Sequence, residues 1–334
     1  MTLVTGATGF IGSHLTRVLL QRGCRVRVLV RPVSRLNAIE ALPVDVVRGD
    51  LRDPASLAAA VDGVRRVFHA AADYRLWTRD PRELYASNVE GTRHLIDACR
   101  RAGIERFVYT SSVATIAVPH GSTLPDETTV ARIDEMVGHY KRSKLLAEQE
   151  VLAAAAGGLP AIVVNPTTPV GPGDWKPTPT GRMIVDFLRG RMVAYLDTGL
   201  NLVPVEDVAE GHLLAAERGR VGERYILGGR NMTLKEIFEA IAAVSGRPAP
   251  RMRMPFAVAL AAGYASEALA RISRREPPVP LEGVRMARHK MFVDASKAQR
   301  ELGFVPGSVE AALERAIKWY VEHGYAKGIR NELD

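Results

Sequence analysis

Tyr140 and Lys144 stand four residues apart in His139-Tyr-Lys-Arg-Ser-Lys144. On a helix that spacing places both side chains on one face, toward one ligand. A phenol is a poor base near neutrality because its ordinary pKa is about 10. A nearby ammonium favours the phenolate and brings it toward the range of a working acid/base. Ser112, closing Tyr109-Thr-Ser-Ser112, is a hydroxyl able to hold and polarise a substrate oxygen. Phenol, ammonium and hydroxyl together make a proton relay for interconverting an alcohol and a ketone, provided that a cofactor carries the hydride. Alone, a Tyr/Lys pair at helical spacing occurs by chance on many helices, and serines after a strand are often turns or helix caps.

The hydride carrier is implied about 130 residues upstream, in Thr5-Gly-Ala-Thr-Gly-Phe-Ile-Gly12. Leu3-Val4 end a short apolar run that reads as a buried strand, and a helix pattern runs from about Ile11 to Gln21. Gly6, Gly9 and Gly12 then serve a tight turn, a close backbone approach to a pyrophosphate and close helix-on-strand packing, with Thr8, Phe10 and Ile11 completing the loop. The helix would aim its first amides at the phosphates. A second strand, Arg25–Val30, ends at Arg31, where an acidic residue would bind ribose hydroxyls and an arginine can pair with a 2′-phosphate. Arg35 offers a second contact, so NADP(H) is favoured, with NAD(H) the alternative. A solvated surface arginine is the plain alternative at either position.

Asp50, in Gly49-Asp-Leu51 after a third strand pattern (Val44–Val47), is placed to accept from the adenine amino group. The fourth strand pattern, Arg66–Ala72, ends in Ala70, Ala71 and Ala72, small enough for a cofactor to lie against the strand tip. Asn88 opens Asn-Val-Glu-Gly-Thr92, and the fifth strand, Arg106–Thr110, runs into Ser111 and Ser112. In an open parallel sheet such strand ends form the ligand crevice.

With Asn165-Pro-Thr-Thr-Pro-Val-Gly-Pro172 and Leu202-Val-Pro-Val-Glu-Asp-Val208, these motifs cover nearly the whole chain. As a set they resemble the extended short-chain dehydrogenase/reductases. Tyr74-Arg-Leu-Trp77, Lys176–Gly181 and Asp197–Leu202 resemble, more narrowly, the hopanoid-associated sugar epimerases, cousins of the dihydroflavonol reductases. The resemblance implies a Rossmann-type, doubly wound α/β sheet with a smaller, mostly helical C-terminal substrate domain. It assigns residues 1–165 and about 202–230 to the former, and 166–201 with 231–334 to the latter. Carried over by position, it makes Tyr140 the acid/base, Lys144 its ribose-bound partner and Ser112 the substrate-oxygen donor, with Ser111 a neighbouring candidate. Leu51, Thr110, Asn165, Pro166 and Thr167 fall in the cofactor's path, although many members have arginine where Asn165 stands. An inserted Val113 leaves the substrate hydroxyl open between Ser112 and Thr115. A homodimer through helices near Glu83–Gly103 and His139–Ala156 is implied by the resemblance alone.

Of the activities implied, sugar epimerisation stands first: Tyr140 removes a hydroxyl proton, hydride leaves and returns to the other face, and no cofactor is consumed. The substrate would be a sugar, carried on a nucleotide or a lipid. The alternative is an NADPH-dependent ketone or aldehyde reductase of the dihydroflavonol reductase type. A dinucleotide-binding sensor without catalysis is the third reading, because fold does not imply function.

Composition fits these readings. The 334 residues carry 45 Lys and Arg against 37 Asp and Glu, a net +8 that suits anionic small ligands or an anionic membrane surface. No basic stripe interleaved with aromatics appears, so no nucleic-acid partner is expected. Cys24 and Cys99 lack metal or redox spacing, so no metal is expected. The glycine motif begins within six residues of Met1, leaving no room for a signal peptide, and the expectation is a cytoplasmic protein.

From Pro160 to Gly181 six prolines and three glycines predict an irregular stretch, neither helix nor central strand, with Trp175, Lys176 and Arg182 as its substrate contacts. A stiff interdomain connection is the plain alternative. Leu202–Val208 should return the chain to the large sheet, Arg224–Leu227 reads as a strand, and Thr233 with Glu236 forms a capping box. Pro255–Tyr264, followed by Arg271, Arg274 and Arg275, is well short of the ~20 residues that span a bilayer. It reads as a buried or dimer-facing helix, or as one lying on a membrane surface.

Overall fold

The computed structural model describes every residue except 76, 79, 117–122, 130, 274–276 and 327–334. Arg274 and Arg275 therefore fall outside the described residues. In chain order the strands are β1 (Thr2–Thr5), β2 (Val26–Val30), β3 (Asp45–Arg48), β4 (Arg66–His69), β5 (Arg106–Thr110), β6 (Ala161–Pro166), β7 (Thr168–Val170), β8 (Ala194–Tyr195), β9 (Gly199–Pro204), β10 (Arg224–Leu227), β11 (Arg230–Thr233) and β12 (Met252–Arg253). The helices are α1 (Phe10–Gln21), α2 (Pro54–Val61), α3 (Arg82–Tyr85), α4 (Gly91–Ala102), α5 (Gly138–Ala156), α6 (Pro179–Leu188), α7 (Val205–Arg218), α8 (Leu234–Ser245), α9 (Phe256–Ser273), α10 (Leu281–Met286), α11 (Ser296–Leu302) and α12 (Val309–Glu322).

Seven strands form one sheet in the order β3-β2-β1-β4-β5-β6-β10, every pair parallel. Side chains alternate between its faces. Leu3, Val67 and Phe107 point to α2, α4 and α5, while Val4, Phe68 and Val108 join Leu15 and Leu19 of α1 and Leu213 of α7. This is the expected doubly wound sheet. The winding reverses between β1 and β4, which places a crevice at their carboxyl ends.

A smaller body holds a second sheet, β11-β9-β7, under α6, α8 and α12, with Ile184, Phe187, Ile237, Phe238, Leu313 and Ile317 at its core. The proline-rich run holds more regular structure than expected. Ala161–Pro166 is a completely buried interior strand of the large sheet, with Pro166 at its last position. Pro169 lies in β7, an edge strand, and Pro179 begins α6 behind a Thr178 cap. Strand ends, sheet edges and first helical turns are where a missing N–H is harmless. Leu202–Pro204 belongs to the second sheet, so the return to the large sheet begins with α7.

Helix α9 is not buried within the chain, which leaves the dimer-facing and membrane-surface expectations. Only Ala259, Gly263, Ser266 and Ala270 are buried, so the helix lies on α10 by a stripe of small residues and leaves the rest of its surface exposed. Among the described residues no helix is long and apolar enough to cross a membrane.

Candidate active site

β1 ends at Thr5, and the chain turns at Gly6, whose φ of 72° is left-handed. A Cβ on Gly6 would stand 2.6 Å from the Ala71 nitrogen, and one on Gly12 would stand 2.1 Å from the Gly6 carbonyl oxygen. The glycine spacing thus follows from close contact between the turn, α1 and the end of β4. Thr8, Phe10 and Ile11 are partly exposed around the turn and Gly9 is exposed. Gly9 caps α1 without a side-chain hydrogen bond, and the first turn carries no acidic residue. No side chain of the helix competes with an anion for its first amides.

Toward the outer edge, Arg31 and Arg35 follow β2, both exposed. Asp50 follows β3 and is held by Arg52 through contacts of 3.0 and 2.7 Å, which keep its carboxyl below the usual range. An adenine amino group would share this carboxylate with Arg52. Leu51 is buried, its carbonyl oxygen 3.1 Å from His94 Nδ1.

At the inner end, Ala70, Ala71 and Ala72 are partly exposed beyond β4, tied to β1 by the Ala70 N–H donating to the Thr5 carbonyl at 3.2 Å. Asn88 lies in a π-helical turn, Ala86–Glu90, of the kind that often marks a functional position. Its amide donates to the Asp73 carbonyl (2.9 Å) and Ser143 Oγ (3.0 Å), and accepts from the Asp73 N–H (2.7 Å). It pins the chain beyond β4 onto α5. Thr110 Oγ1 meets His212 Nε2 at 2.8 Å, and Pro166 and Thr167 close the floor, the Thr167 N–H donating to the Leu227 carbonyl at 3.1 Å.

Lys144 is 1% exposed. Its Nζ donates to Tyr109 Oη and to the Thr110 carbonyl, both at 2.7 Å. Desolvation lowers the ammonium to about 7, with Glu148 opposing. Tyr140 is half-buried, and its phenol behaves contrary to the sequence expectation. Burial pushes it up, the Ser112 hydroxyl pulls it down, and the Glu282 carboxyl adds to the upward push, so it lies above its ordinary value. The Lys144 ammonium donates instead to Tyr109 and the Thr110 carbonyl.

Ser112 and Thr115, the two hydroxyls left open by the inserted Val113, are placed differently. Thr115 is fully buried, its Oγ1 2.8 Å from both the Ser112 carbonyl and Glu148 Oε2. Ser112 caps the short 3₁₀ turn Val113–Thr115 by accepting from the Ala114 N–H at 3.1 Å, and it stands beside Tyr140. Ser111 is 6% exposed and its Oγ lacks a partner among the described residues.

On the substrate side, Lys176 and Arg182 gather at Tyr74. Tyr74 Oη donates to the Lys176 carbonyl at 3.3 Å, and Lys176 Nζ lies 5.9 Å from the ring centre. Burial pushes this phenol to about 12, Asp174 adds to the push, Arg182 opposes it, and Tyr140 adds again. Trp175 is turned elsewhere, edge-on to Trp319 (5.1 Å) and His323 (4.9 Å), so its ring packs on α12.

Three features escaped the sequence reading. Behind the site, buried Glu148 accepts from Asn165 Nδ2 (2.8 Å) and Arg224 Nη1 (3.0 Å) as well as from Thr115, while Asn165 also donates to the Ser112 carbonyl (3.2 Å). Glu148 is one helical turn beyond Lys144, so the same four-residue spacing pointed to it. Below Lys144, Tyr109 continues to Thr92, Thr92 Oγ1 meets His69 Nε2 (3.0 Å), and His69 Nδ1 meets Thr5 Oγ1 (2.7 Å). Burial, with Lys144 adding, lowers His69 to about 3, so it stays neutral. Finally, Glu282 of α10 lies against Gly138, the first residue of α5, where a side chain would collide with its carboxyl group. No local pattern links positions so far apart.

These residues fit a nicotinamide dinucleotide. A glycine turn leads to an uncapped helix end, small residues follow β4, an orphaned Ser111 hydroxyl lies in the crevice, and a phenol and a hydroxyl converge over a buried lysine. Fold and site together define a dinucleotide-binding oxidoreductase scaffold. The sequence model of the NAD dependent epimerase/dehydratase family matches residues 2–228, and the chain belongs to that family. It is an NAD(P)-dependent enzyme of the oxidoreductase type.

Among its relatives, a putative dihydroflavonol 4-reductase from Synechocystis is 46% identical over 97% of this chain and 95% of its own length. Sterol demethylase protein B from Methylococcus capsulatus is 37% identical over 97% of this chain and 99% of its own. Among solved structures, gox2253 is 48% identical with a TM-score of 0.88, covering 98% of this chain and 99% of that one. PA4631, a nucleoside-diphosphate-sugar epimerase from Pseudomonas aeruginosa, is 29% identical with a TM-score of 0.80, covering 97% and 98%.

Proposed function

We propose that this enzyme reduces a ketone or aldehyde to an alcohol with NADPH, Tyr140 donating the proton. The observation that carries this reading is the 46% identity with the putative dihydroflavonol 4-reductase over 97% of this chain, with Tyr140 beside the Ser112 hydroxyl. Burial and Glu282 both oppose the phenolate, and a phenol is the form that a carbonyl reduction needs. Ser112 holds and polarises the substrate oxygen. The cofactor supplies the hydride when bound. Gly6, Gly9 and Gly12 shape the turn for its pyrophosphate, Arg31 and Arg35 favour a 2′-phosphate, and Lys144 hydrogen-bonds the nicotinamide ribose. The names of the two relatives support a substrate outside the sugars, a polycyclic hydroxy or keto compound. Lys176 and Arg182, beside Tyr74, suit an anionic or strongly polar end of it.

Sugar epimerisation is the second reading, supported by the sugar epimerase from Pseudomonas aeruginosa. The two differ in what happens to the cofactor. A denatured sample of the purified protein is analysed for released nucleotide, and the native protein is assayed for NADPH and NADH oxidation against a panel of ketones and aldehydes. The reductase reading expects little retained nucleotide and net NADPH oxidation with at least one carbonyl compound. Near-stoichiometric retained nucleotide with no net oxidation would overturn it and favour the epimerase.

A further inference from the structure

Far from the glycine turn, α9 presents an apolar face that none of the described residues covers. Val258, Ala262, Ala265, Leu269 and Ile272 recur at intervals of four and three residues, forming one stripe along the helix, and every one is exposed. Val258 is 55%, Leu269 60% and Ile272 82% exposed. The helix does not need this stripe for its own packing, which uses Ala259, Gly263, Ser266 and Ala270 against Leu281 and Val284 of α10. Its single acidic residue, Glu267, lies around the helix from the stripe. An unshielded apolar face of this kind marks an interaction site.

The charge around it is segregated. Residues 247–290 contain nine Lys and Arg against three Glu, so this short segment carries +6 of the chain's +8. Arg251, Arg271, Arg285, Arg288 and Lys290 are exposed. Arg285 is held 3.0 Å from the phenol oxygen of Tyr264, which shares with Glu267 and Arg271 the flank of α9 turned from the stripe. A second copy of the chain, docked through the same face, would bring like charge against like charge. A surface that is apolar below and anionic above satisfies both features at once.

We propose that α9 lies on the surface of an anionic lipid bilayer, with Val258, Leu269 and Ile272 entering the acyl boundary and the surrounding arginines meeting the headgroups. The consequence for the active site is geometric. α10, on which α9 rests, carries Glu282 against Gly138 at the start of the catalytic helix, two residues from Tyr140. A bilayer at α9 is thus one helix away from the catalytic helix. The proposal does not depend on which reaction the enzyme performs.

The test is co-sedimentation of the full chain with phosphatidylcholine vesicles made with and without phosphatidylglycerol, at low and high salt. Phosphatidylglycerol-dependent binding that weakens with salt is expected. The double substitution Leu269→Asp, Ile272→Asp should reduce it on the order of tenfold or more, since two apolar anchors are lost. Both positions are exposed, so thermal unfolding should be unchanged. Arg271→Glu, a milder variant, should weaken binding and flatten its salt dependence. Absence of phosphatidylglycerol-dependent binding overturns the proposal, and so does binding indifferent to the double substitution. A dimer in sedimentation velocity that the same substitution splits, with no vesicle binding, would assign the face to a second copy and also overturn it.

Discussion

The two ends of the cofactor crevice are built differently. At the inner end Lys144 and the network behind it are held from several sides. Lys144 is fixed by Tyr109 and the Thr110 carbonyl, Asn88 ties the chain beyond β4 to α5, and Asn165, Thr115 and Arg224 converge on Glu148. At the outer end Arg31 and Arg35 stand in solvent on a loop. Chemistry that depends on the position of a proton requires preorganisation, and buried, fully partnered networks supply it. Discrimination between dinucleotides requires only a charge within reach, and a loop supplies that. Reaction and cofactor choice should therefore be separable by mutation.

The largest effect should come from the inner end. Tyr140→Phe removes the proton donor and should lower kcat by on the order of a thousandfold, while NADPH binding measured by calorimetry stays nearly the same. Turnover close to the parent's would mean that another group moves the proton. Glu148→Ala should come next. It leaves the Arg224 guanidinium, 15% exposed at its side chain, without its buried carboxylate, and breaking such a pair costs about 3 kcal/mol. Denaturant unfolding should show that loss, and kcat should fall because the turn that carries Ser112 loses its anchor. Stability within experimental error of the parent's would mean that the network behind α5 is dispensable.

The outer end should respond more mildly. Arg31→Asp replaces a partner for a 2′-phosphate with a repulsive charge and should shift the NADP/NAD affinity ratio by roughly tenfold to a hundredfold, with kcat nearly unchanged. The same ratio in both proteins would exclude Arg31 from the binding of the 2′-phosphate. A large fall in kcat would contradict the separation of the two ends.

The same contrast explains what was legible in the sequence. Strands and glycines are local statements: alternating or continuous apolar runs marked β1, β2 and β5, and Gly6, Gly9 and Gly12 marked the turn between β1 and α1. Tyr140 and Lys144 were visible because helical spacing is also local. Hydrogen bonding was less legible. The reading placed Lys144 against Tyr140, but a strand from elsewhere in the chain brings Tyr109 and the Thr110 carbonyl to it first. The prolines misled for a related reason, since whether Pro166 or Pro169 breaks a strand depends on its place at a strand end or a sheet edge. Residue type and loop position suggest Trp175 as a substrate contact, but where its ring packs is set by a tertiary contact with Trp319. Glu282, about 140 residues from Tyr140, leaves no local trace at all.

Glu282 makes the smallest and most diagnostic prediction. Burial raises its carboxyl to about 7, Lys141 and Arg142 pull it down, and Glu267 of α9 pushes it up. It raises Tyr140 and, from α3's side, Tyr85. Because the folded-state value is raised, the folded protein binds this proton more tightly than the unfolded chain. The stability it contributes is therefore present below the ordinary carboxyl range, about 4.3, and is lost as pH rises toward about 7. Glu282→Gln should remove that component from the stability–pH profile. It should also remove a negative charge near Tyr140 and lower the phenol's titration midpoint by on the order of one unit. Carbon-13 NMR of tyrosine-labelled protein, with Tyr140→Phe to assign the resonance, reads this without any substrate. An unmoved midpoint would leave burial alone to account for the phenol. A lowered midpoint would show that a carboxyl from α10 helps to hold the proton of Tyr140.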